Sequence, residues 1–439
     1  MARLGQDRCH ERDDWRRPGP PASLDLMQRD KPVVIVGAGV AGLAAARRLR
    51  VAGVETILIE AADRIGGRAH TVVTEGWAFD HGASWLHAAE RNPLVPLADP
   101  ADLRPSDALG AEHVFIGDQP ASEAERAAYH AAWDRLEETV APALAAGEDC
   151  SLAEAMAPMR EDPWAATAAG WEGAIIAAAD ADALSLRDWH VNGLDGTNLL
   201  VRGGLGAFIA RRLATDVQLR MAAEVIHWGG IGVRVETSRG VVDAASCIVT
   251  VSTGVLAAGA IRFHPALPAW LEGAIHGLPM GLLSKVALRG CLGFAPEDHL
   301  VAQMAPGSAR MVFIAQPDGA DRILGFVGGR AAWAVAPDPR AVIALAQAEL
   351  RSMLGRTPDA AGAIVTDWGT NPLFRGSYAY APPGQAGMRG VLGQAFLAER
   401  LVFAGEATRT DGLAGTVGGA YLSGIEAADR LLGTWKINP

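Results

Sequence analysis

From Lys31 onward, apolar runs alternate with polar turns at intervals that set out a βαβ unit. VVIV at 33–36 is a continuous apolar run of strand length. VAGLAAARRLRVAG then reads as a helix ending at Gly53, and ETILIE at 55–60 as a second strand, so the pair opens a parallel sheet. Residues 120–190 are Ala-rich, with Trp133, Trp164, Trp171 and Trp189 widely spaced, and read as helical. Strand patterns return in VQLRMAAEVIHW, GVRVETSRG and SCIVTVST, and later in RMVFIAQ and RILGFVGG. PRAVIALAQAELRSMLG reads as a helix, and the last segment joins a β run, RLVFAGEAT, to a helix, TVGGAYLSGIEAADRLL.

A sheet that starts at residue 33 and finishes after residue 400, with no internal repeat, implies an α/β chain. Its Rossmann-like nucleotide-binding domain is assembled from separated segments, with an α+β substrate domain inserted between them. The expected division gives 31–95, 196–275 and 366–439 to the first domain, and 96–195 and 276–365 to the second. Residues 1–30 are polar, charged and Pro-rich, and are expected to be a disordered tail or an extension ahead of a start at Met27. Arg16-Arg17 is followed by PGPPASLD rather than the apolar stretch that an export signal needs.

One apolar run carries a charge. GLLSKVAL at 281–288 places Lys285 on the strand face that Leu283 and Ala287 share. Either the lysine lies at a sheet edge and reaches water, or its ammonium serves a site.

Composition narrows the function. The chain has 439 residues, half of them hydrophobic, and a net charge of -11, which argues against nucleic acid and anionic membranes as partners. No apolar stretch is long enough to span a bilayer. Four cysteines, Cys9, Cys150, Cys247 and Cys291, have neither zinc-site spacing nor a disulfide framework, and no metal site is expected. Their scatter fits a reducing compartment, and the cytoplasm is the expected location.

Gly37-Ala38-Gly39-Val40-Ala41-Gly42 fits GxGxxG between a strand and a helix. Gly37 permits the turn, Gly39 lets a pyrophosphate approach the backbone, and Gly42 allows the helix to pack on the strand. Glu60 ends the second strand, where a carboxylate accepts from an adenosine ribose. These features leave NAD and FAD both open. A second glycine pair, Gly66-Gly67, followed by Arg68, adds flexible backbone and a cation beside the phosphate loop, which an NAD domain does not require.

With those residues, VVIVGAGVAGLAAARRL…ILIEAADRIGGR resembles the flavin-dependent amine oxidases, a group that includes monoamine oxidases, polyamine oxidases and lysine-specific histone demethylases. The likeness extends through FDHGASWLHAAERNPL, VSTGVLAAGAIRFHPALPAW, GSYAYAPPG and LVFAGEATRTDGLAGTVGGAYLSG, in the family's order. It implies the amine oxidase fold and FAD. Gly82, Ala83 and Ser84, and Val225 farther on, are implied cofactor contacts. Glu406 is implied to accept from ribityl or ribose hydroxyls, and Thr416-Val417 to begin a helix facing the flavin pyrimidine. Monoamine oxidases attach flavin through a cysteine where this chain has Ser377, so non-covalent FAD is implied.

The same resemblance places Lys285 beside flavin N5 through a water, and Tyr378 against the substrate amine. Thr416 falls where monoamine oxidases have a second tyrosine, which resembles polyamine oxidases and implies a wider pocket. His87 matches a channel position, with Trp85 and Trp368 as candidate aromatic walls. The sequence departs from the family at His87-Ala88 and at Gly418-Gly419.

The implied reaction is oxidation of a C–N bond of a polyamine-like amine by hydride transfer to flavin. The imine is then hydrolysed, and O₂ takes the electrons to give H₂O₂. Aromatic, cyclic or alkaloid amines and L-amino acids stay open as substrates, with Arg375 and Arg409 near the motifs. A nicotinamide dehydrogenase and a non-catalytic flavin protein are the readings from other classes. No coiled-coil insertion for a partner protein is present, and the oligomeric state is left open.

Overall fold

The computed structural model describes residues 31–106, 113–290, 299–303 and 311–435. The expected N-terminal tail, with Met27 and Cys9, lies outside the described residues, as does Cys291.

The apolar run at 33–36 is the second strand of a five-stranded sheet. Its order is Thr56–Ile59, Val33–Val36, Ser246–Val249, Leu401–Phe403, Phe396–Leu397. The first four strands are parallel and the last antiparallel. All four residues of Val33–Val36 are buried because the strand feeds two cores. Val33 and Ile35 meet Leu43 and Leu431 of the helices Val40–Val51 and Val417–Thr434. Val34 and Val36 meet Ile226 and Val235 of a four-stranded sheet on the opposite side. Burial on both faces explains the missing alternation.

Lys285 belongs to a second, seven-stranded sheet. Its order is Asp359–Val365, Leu283–Arg289, Arg322–Gly328, Met311–Ala315, His299–Gln303, His113–Ile116, Gln119–Pro120. One face packs on the helix Pro339–Leu354 through Val342, Ala346 and Leu350. The other presents Val312, Ile314 and Phe326 to a large cavity.

The helical texture of 120–190 is broken into Glu123–Ala146, Leu152–Ala155, Ala165–Ala169, Gly170–Ala177 and Leu186–Val191. Ser122, Ser151 and Ser185 cap three of these starts, and Gly147 ends the long helix at φ 72°. Gly170–Ala177 is a π-helix, a widened turn that a spacing rule based on 3.6 residues does not register. The strand expected across VQLRMAAEVIHW is confined to Ala223–His227. The residues before it are tied elsewhere: Gln218 N–H donates to Leu58 O, and Met221 N–H to Glu60 O. No helix among the described residues is long and apolar enough to cross a membrane.

Candidate active site

A cavity of about 960 Å³ runs between the two sheets, from Gly37 and Gly39 to Trp133 and Trp189 of the helical segment. At its first end the helix Val40–Val51 starts at Gly39 with no side-chain cap, so its leading N–H groups are open to an anion. A Cβ on Gly42 would lie 1.9 Å from Gly37 O, so this position packs the helix on the loop and does not itself line the cavity. Gly66-Gly67 closes over the same loop, Gly66 bridging to Gly39. Glu60 faces the cavity, and its two carboxylate oxygens accept from Ala38 N at 2.7 Å and Ala62 N at 2.8 Å. Beyond any ribose contact, it shapes the phosphate loop.

Arg68 and Glu406 both line the cavity and are joined at 2.7 Å. Arg68 also donates to Ser377 O, and Glu406 accepts from Ala379 N. The GGR, FAGE and GSY segments therefore meet in one polar knot. Ser377 Oγ accepts from Leu283 N and donates to Leu283 O, so the residue at the position of the attachment cysteine clasps the start of the Lys285 strand.

Lys285 is not at an edge. Its strand is flanked by Arg322–Gly328 and Asp359–Val365, and the residue is 6 % exposed. Its ammonium donates to Asp80 O at 3.1 Å, Gly82 O at 2.5 Å and Ser84 Oγ at 2.7 Å, which uses all three protons. The rings of Trp85 and Phe326 lie 5.7 and 5.5 Å away. Burial pulls the Lys285 pKa down to about 8, opposed by the Asp80 carboxylate. Gly82, Ala83, Ser84 and Trp85, all cavity-lining, are thus pinned by this one cation.

Past the lysine the walls become aromatic. Tyr378 lines the cavity while its hydroxyl donates to Ile176 O at 2.8 Å; burial, with the nearby Glu406 charge, pushes its pKa up, so it stays a neutral phenol. His87 stacks near Trp85, and Nδ1 donates to Asn198 Oδ1 at 2.8 Å, which leaves Nε2 as an acceptor. Burial lowers the His87 pKa and keeps the ring uncharged. Trp368 is buried, lines the cavity and donates to His81 O.

Val225 and Thr416 are placed differently from each other. Val225 is not part of the lining; Met221, Ala222 and Ala223 are, because the tie between 218–221 and 58–60 turns those residues over the cavity. Thr416 lines the cavity, but its hydroxyl donates to Leu413 O and accepts from Gly419 N as the cap of the last helix. It leaves room rather than offering a bond. Val417 lines the cavity at that helix's first turn.

Sequence reading missed two groups. Glu172, on the π-helix and at the cavity wall, accepts from Trp133 Nε1 at 2.9 Å and Trp189 Nε1 at 3.0 Å. Burial raises its pKa, and the nearby Glu137 charge adds to the shift. The widely spaced tryptophans were the available signal. The second is the buried pair Asp188–Arg389, at 2.6 Å.

These residues fit FAD. The uncapped helix start and the glycine pairs suit a diphosphate, Glu60 and Ala223 border the same end, and Lys285 stands at the aromatic middle. No group of acids, histidines or cysteines among the described residues could hold a metal ion.

Comparison with known proteins bears on the family and the fold. Residues 118–432 match the flavin containing amine oxidoreductase family, and residues 35–98 a NAD(P)-binding Rossmann-like domain. Polyamine oxidase 4 of Oryza sativa subsp. japonica is 30% identical, over 91% of this chain and 88% of its own. Lysine-specific histone demethylase 1 homolog 2 of Arabidopsis thaliana is 28% identical, over 91% of this chain but 58% of its own. The solved structure of a putrescine oxidase with bound putrescine superposes with a TM-score of 0.73 at 22% identity, covering 92% of this chain and 99% of that one.

Proposed function

The chain belongs to the flavin-containing amine oxidoreductases, with FAD held non-covalently, and from that premise we propose that it oxidises a diamine or polyamine. The observation that carries this reading is Glu172. Of the carboxylates lining the cavity among the described residues, Asp188 is paired with Arg389, Glu406 with Arg68, and Glu60 with two backbone N–H groups. Glu172 is held only by two neutral indoles. A second, distal ammonium of the substrate supplies the countercharge that the buried carboxylate lacks. Tyr378, whose hydroxyl donates to Ile176 O, is anchored to the same π-helix that carries Glu172.

The lining guanidinium groups, Arg68 and Arg389, already hold carboxylates. Arg409 is tied to Asp411 and Glu426, and Arg375 does not line the cavity. That arrangement disfavours an amino-acid carboxylate.

The residues then divide the work. Tyr378 and Trp85 wall in and desolvate the reacting amine, neutral His87 offers Nε2 to one of its N–H groups, and Glu172 sets its reach. The glycine loop, Glu60 and the Arg68–Glu406 pair would hold FAD, which when bound would supply hydride acceptance and the two-electron reduction of O₂ to H₂O₂. Lys285 keeps a cation beside that centre and can exchange a proton through its pKa of about 8. The imine leaves and takes up water to give aldehyde and amine.

The proposed division of the chain puts every strand of the five-stranded sheet in the FAD-binding segments and every strand of the seven-stranded sheet in the substrate segments. The strands Trp85–Leu86, Leu199–Val201 and Leu103–Pro105 cross between them. The cytoplasm is our proposed location, on cysteine usage; Cys150 and Cys247 are both free thiols.

The test is anaerobic titration of the flavin band with putrescine, spermidine and benzylamine, in wild type and Glu172→Gln. We expect the two polyamines to bleach wild type at lower concentration than benzylamine, and the variant to lose that advantage. Equal behaviour of the three amines in both proteins would overturn the reading.

A further inference from the structure

Tyr378 and Tyr380 stand two positions apart on an extended segment and both line the cavity, while Ala379 and Ala381 are buried in the core on its other face. The segment has only a two-residue partner strand, Met280–Gly281, which by itself is a weak support. Besides backbone bonds from Ser377 N to Gly281 O, Tyr380 N to Pro279 O and Ser185 N to Ala381 O, its backbone is held by buried charges. Glu406 takes Ala379 N–H at 3.2 Å, and Arg389 Nη2 donates to Ala379 O at 2.9 Å. Asp188 Oδ2 takes Ala381 N–H at 2.8 Å. The backbone of Ala379 is therefore gripped on both its N–H and its C=O, from the cofactor end by Arg68–Glu406 and from the helical segment by Asp188–Arg389.

Asp188 itself has nothing left for a ligand. Oδ1 accepts from Arg389 Nε at 2.6 Å and Asn192 Nδ2 at 3.0 Å, and Oδ2 from Arg389 Nη2 and Ala381 N, both at 2.8 Å. Four donors fill a carboxylate's capacity. It lines the cavity without a free lone pair to offer.

We propose that Asp188, acting through Arg389, is a positioning residue that fixes the Tyr378–Tyr380 wall for the amine. Asp188→Asn turns one acceptor into a donor that opposes either Ala381 N–H or Arg389, and leaves a buried guanidinium unpaired. The wall then loosens while the phosphate loop and Lys285 are untouched. Because Asp188 meets no substrate, its loss weakens mono- and diamines alike, which separates it from Glu172.

The test uses FAD-loaded protein and two readings. Hydrogen exchange on the peptide covering 377–382 reports the wall with no substrate present. Anaerobic flavin reduction by benzylamine and by putrescine reports its use, with wild type deciding separately which amines react. For Asp188→Asn we expect faster exchange at 377–382, and a rise of about tenfold in the half-saturating concentration of every amine that reduces wild type. Flavin content and reoxidation by O₂ should stay as in wild type. Asp188→Asn with Arg389→Met should cost less than the sum of the two single changes, since they share the Asp188–Arg389 bonds while Arg389 also holds Ala379 O. If Asp188→Asn does not fold, Asn192→Ala removes one donor and keeps the ion pair; because Asn192 also lines the cavity and accepts from Ala414 N, exchange at 377–382 is the deciding reading there, and we expect it to rise by about threefold. Unchanged exchange in the folded variant overturns the proposal. So does a loss confined to putrescine, which would make Asp188 a substrate contact.

Discussion

Lys285 Nζ lies 2.5 Å from the carbonyl oxygen of Gly82, a residue 203 positions earlier in the chain. With Asp80 O and Ser84 Oγ as its other acceptors, the lysine fastens the cofactor-side loop to the substrate sheet and places a cation at the junction.

That placement predicts a pH signature in the oxidative half-reaction. Lys285 is protonated below its pKa of about 8 and loses its charge as the pH rises through it. Reoxidation by O₂ should therefore slow above that pH. Lys285→Met should be slower by about a hundredfold at neutral pH, with no such dependence. Stopped-flow mixing of reduced enzyme with O₂ reads both. A variant as fast as wild type would leave the lysine only its anchoring role.

Glu172 predicts the opposite leg. Burial holds its carboxyl above the usual carboxylate range, so it is neutralised as pH falls through that raised value. Half-saturation by putrescine should worsen on the acid side, while benzylamine shows no matching step. In Glu172→Gln the putrescine step disappears. A step that persists in the variant would assign it to another group.

Thr416→Val separates a helix cap from a substrate contact. The hydroxyl takes Gly419 N–H at 3.0 Å, and its removal should cost about 1 kcal/mol in a urea melt. Half-saturation by either amine should not move. A tenfold change there, with stability intact, would return Thr416 to the substrate.

At Gly42 the added methyl of Gly42→Ala meets Gly37 O at 1.9 Å, and the loop or the helix must shift. We expect a loss of about 1–3 kcal/mol and protein purified with little flavin. The flavin-to-protein absorbance ratio and a thermal melt with added FAD check this. Full flavin content would show that the loop yields more easily than its packing implies.

How much of this could be read from residues alone depends on how local each feature is. The glycine loop and its flanking strand and helix were legible because sequence neighbours make them. The charge of Lys285 was visible, but its acceptors come from Asp80 to Ser84, which no spacing rule connects to residue 285. The strand expected to run from 217 begins at Ala223, because residues 218–221 pair with the end of the second strand, and this sets which residues near Val225 face the cavity. Thr416 was legible as the start of the last helix, and the structure makes it that helix's cap. Glu172 was hidden by the π-helix, whose wider turn sets its own facing, although Trp133 and Trp189 were noticed without a partner.

The order of strands in the five-stranded sheet also governs how the chain is made. Val33–Val36 leaves the ribosome early, yet it rests against Ser246–Val249, which in turn waits for Leu401–Phe403. Most of the polypeptide must be synthesised before that sheet can close, and the early apolar strands stay exposed meanwhile. Nascent chains arrested before residue 396 are expected to remain bound to chaperones, and full-length chains to release. The yield of active protein in a cell then depends on what shelters the unfinished sheet as much as on the stability of the finished one.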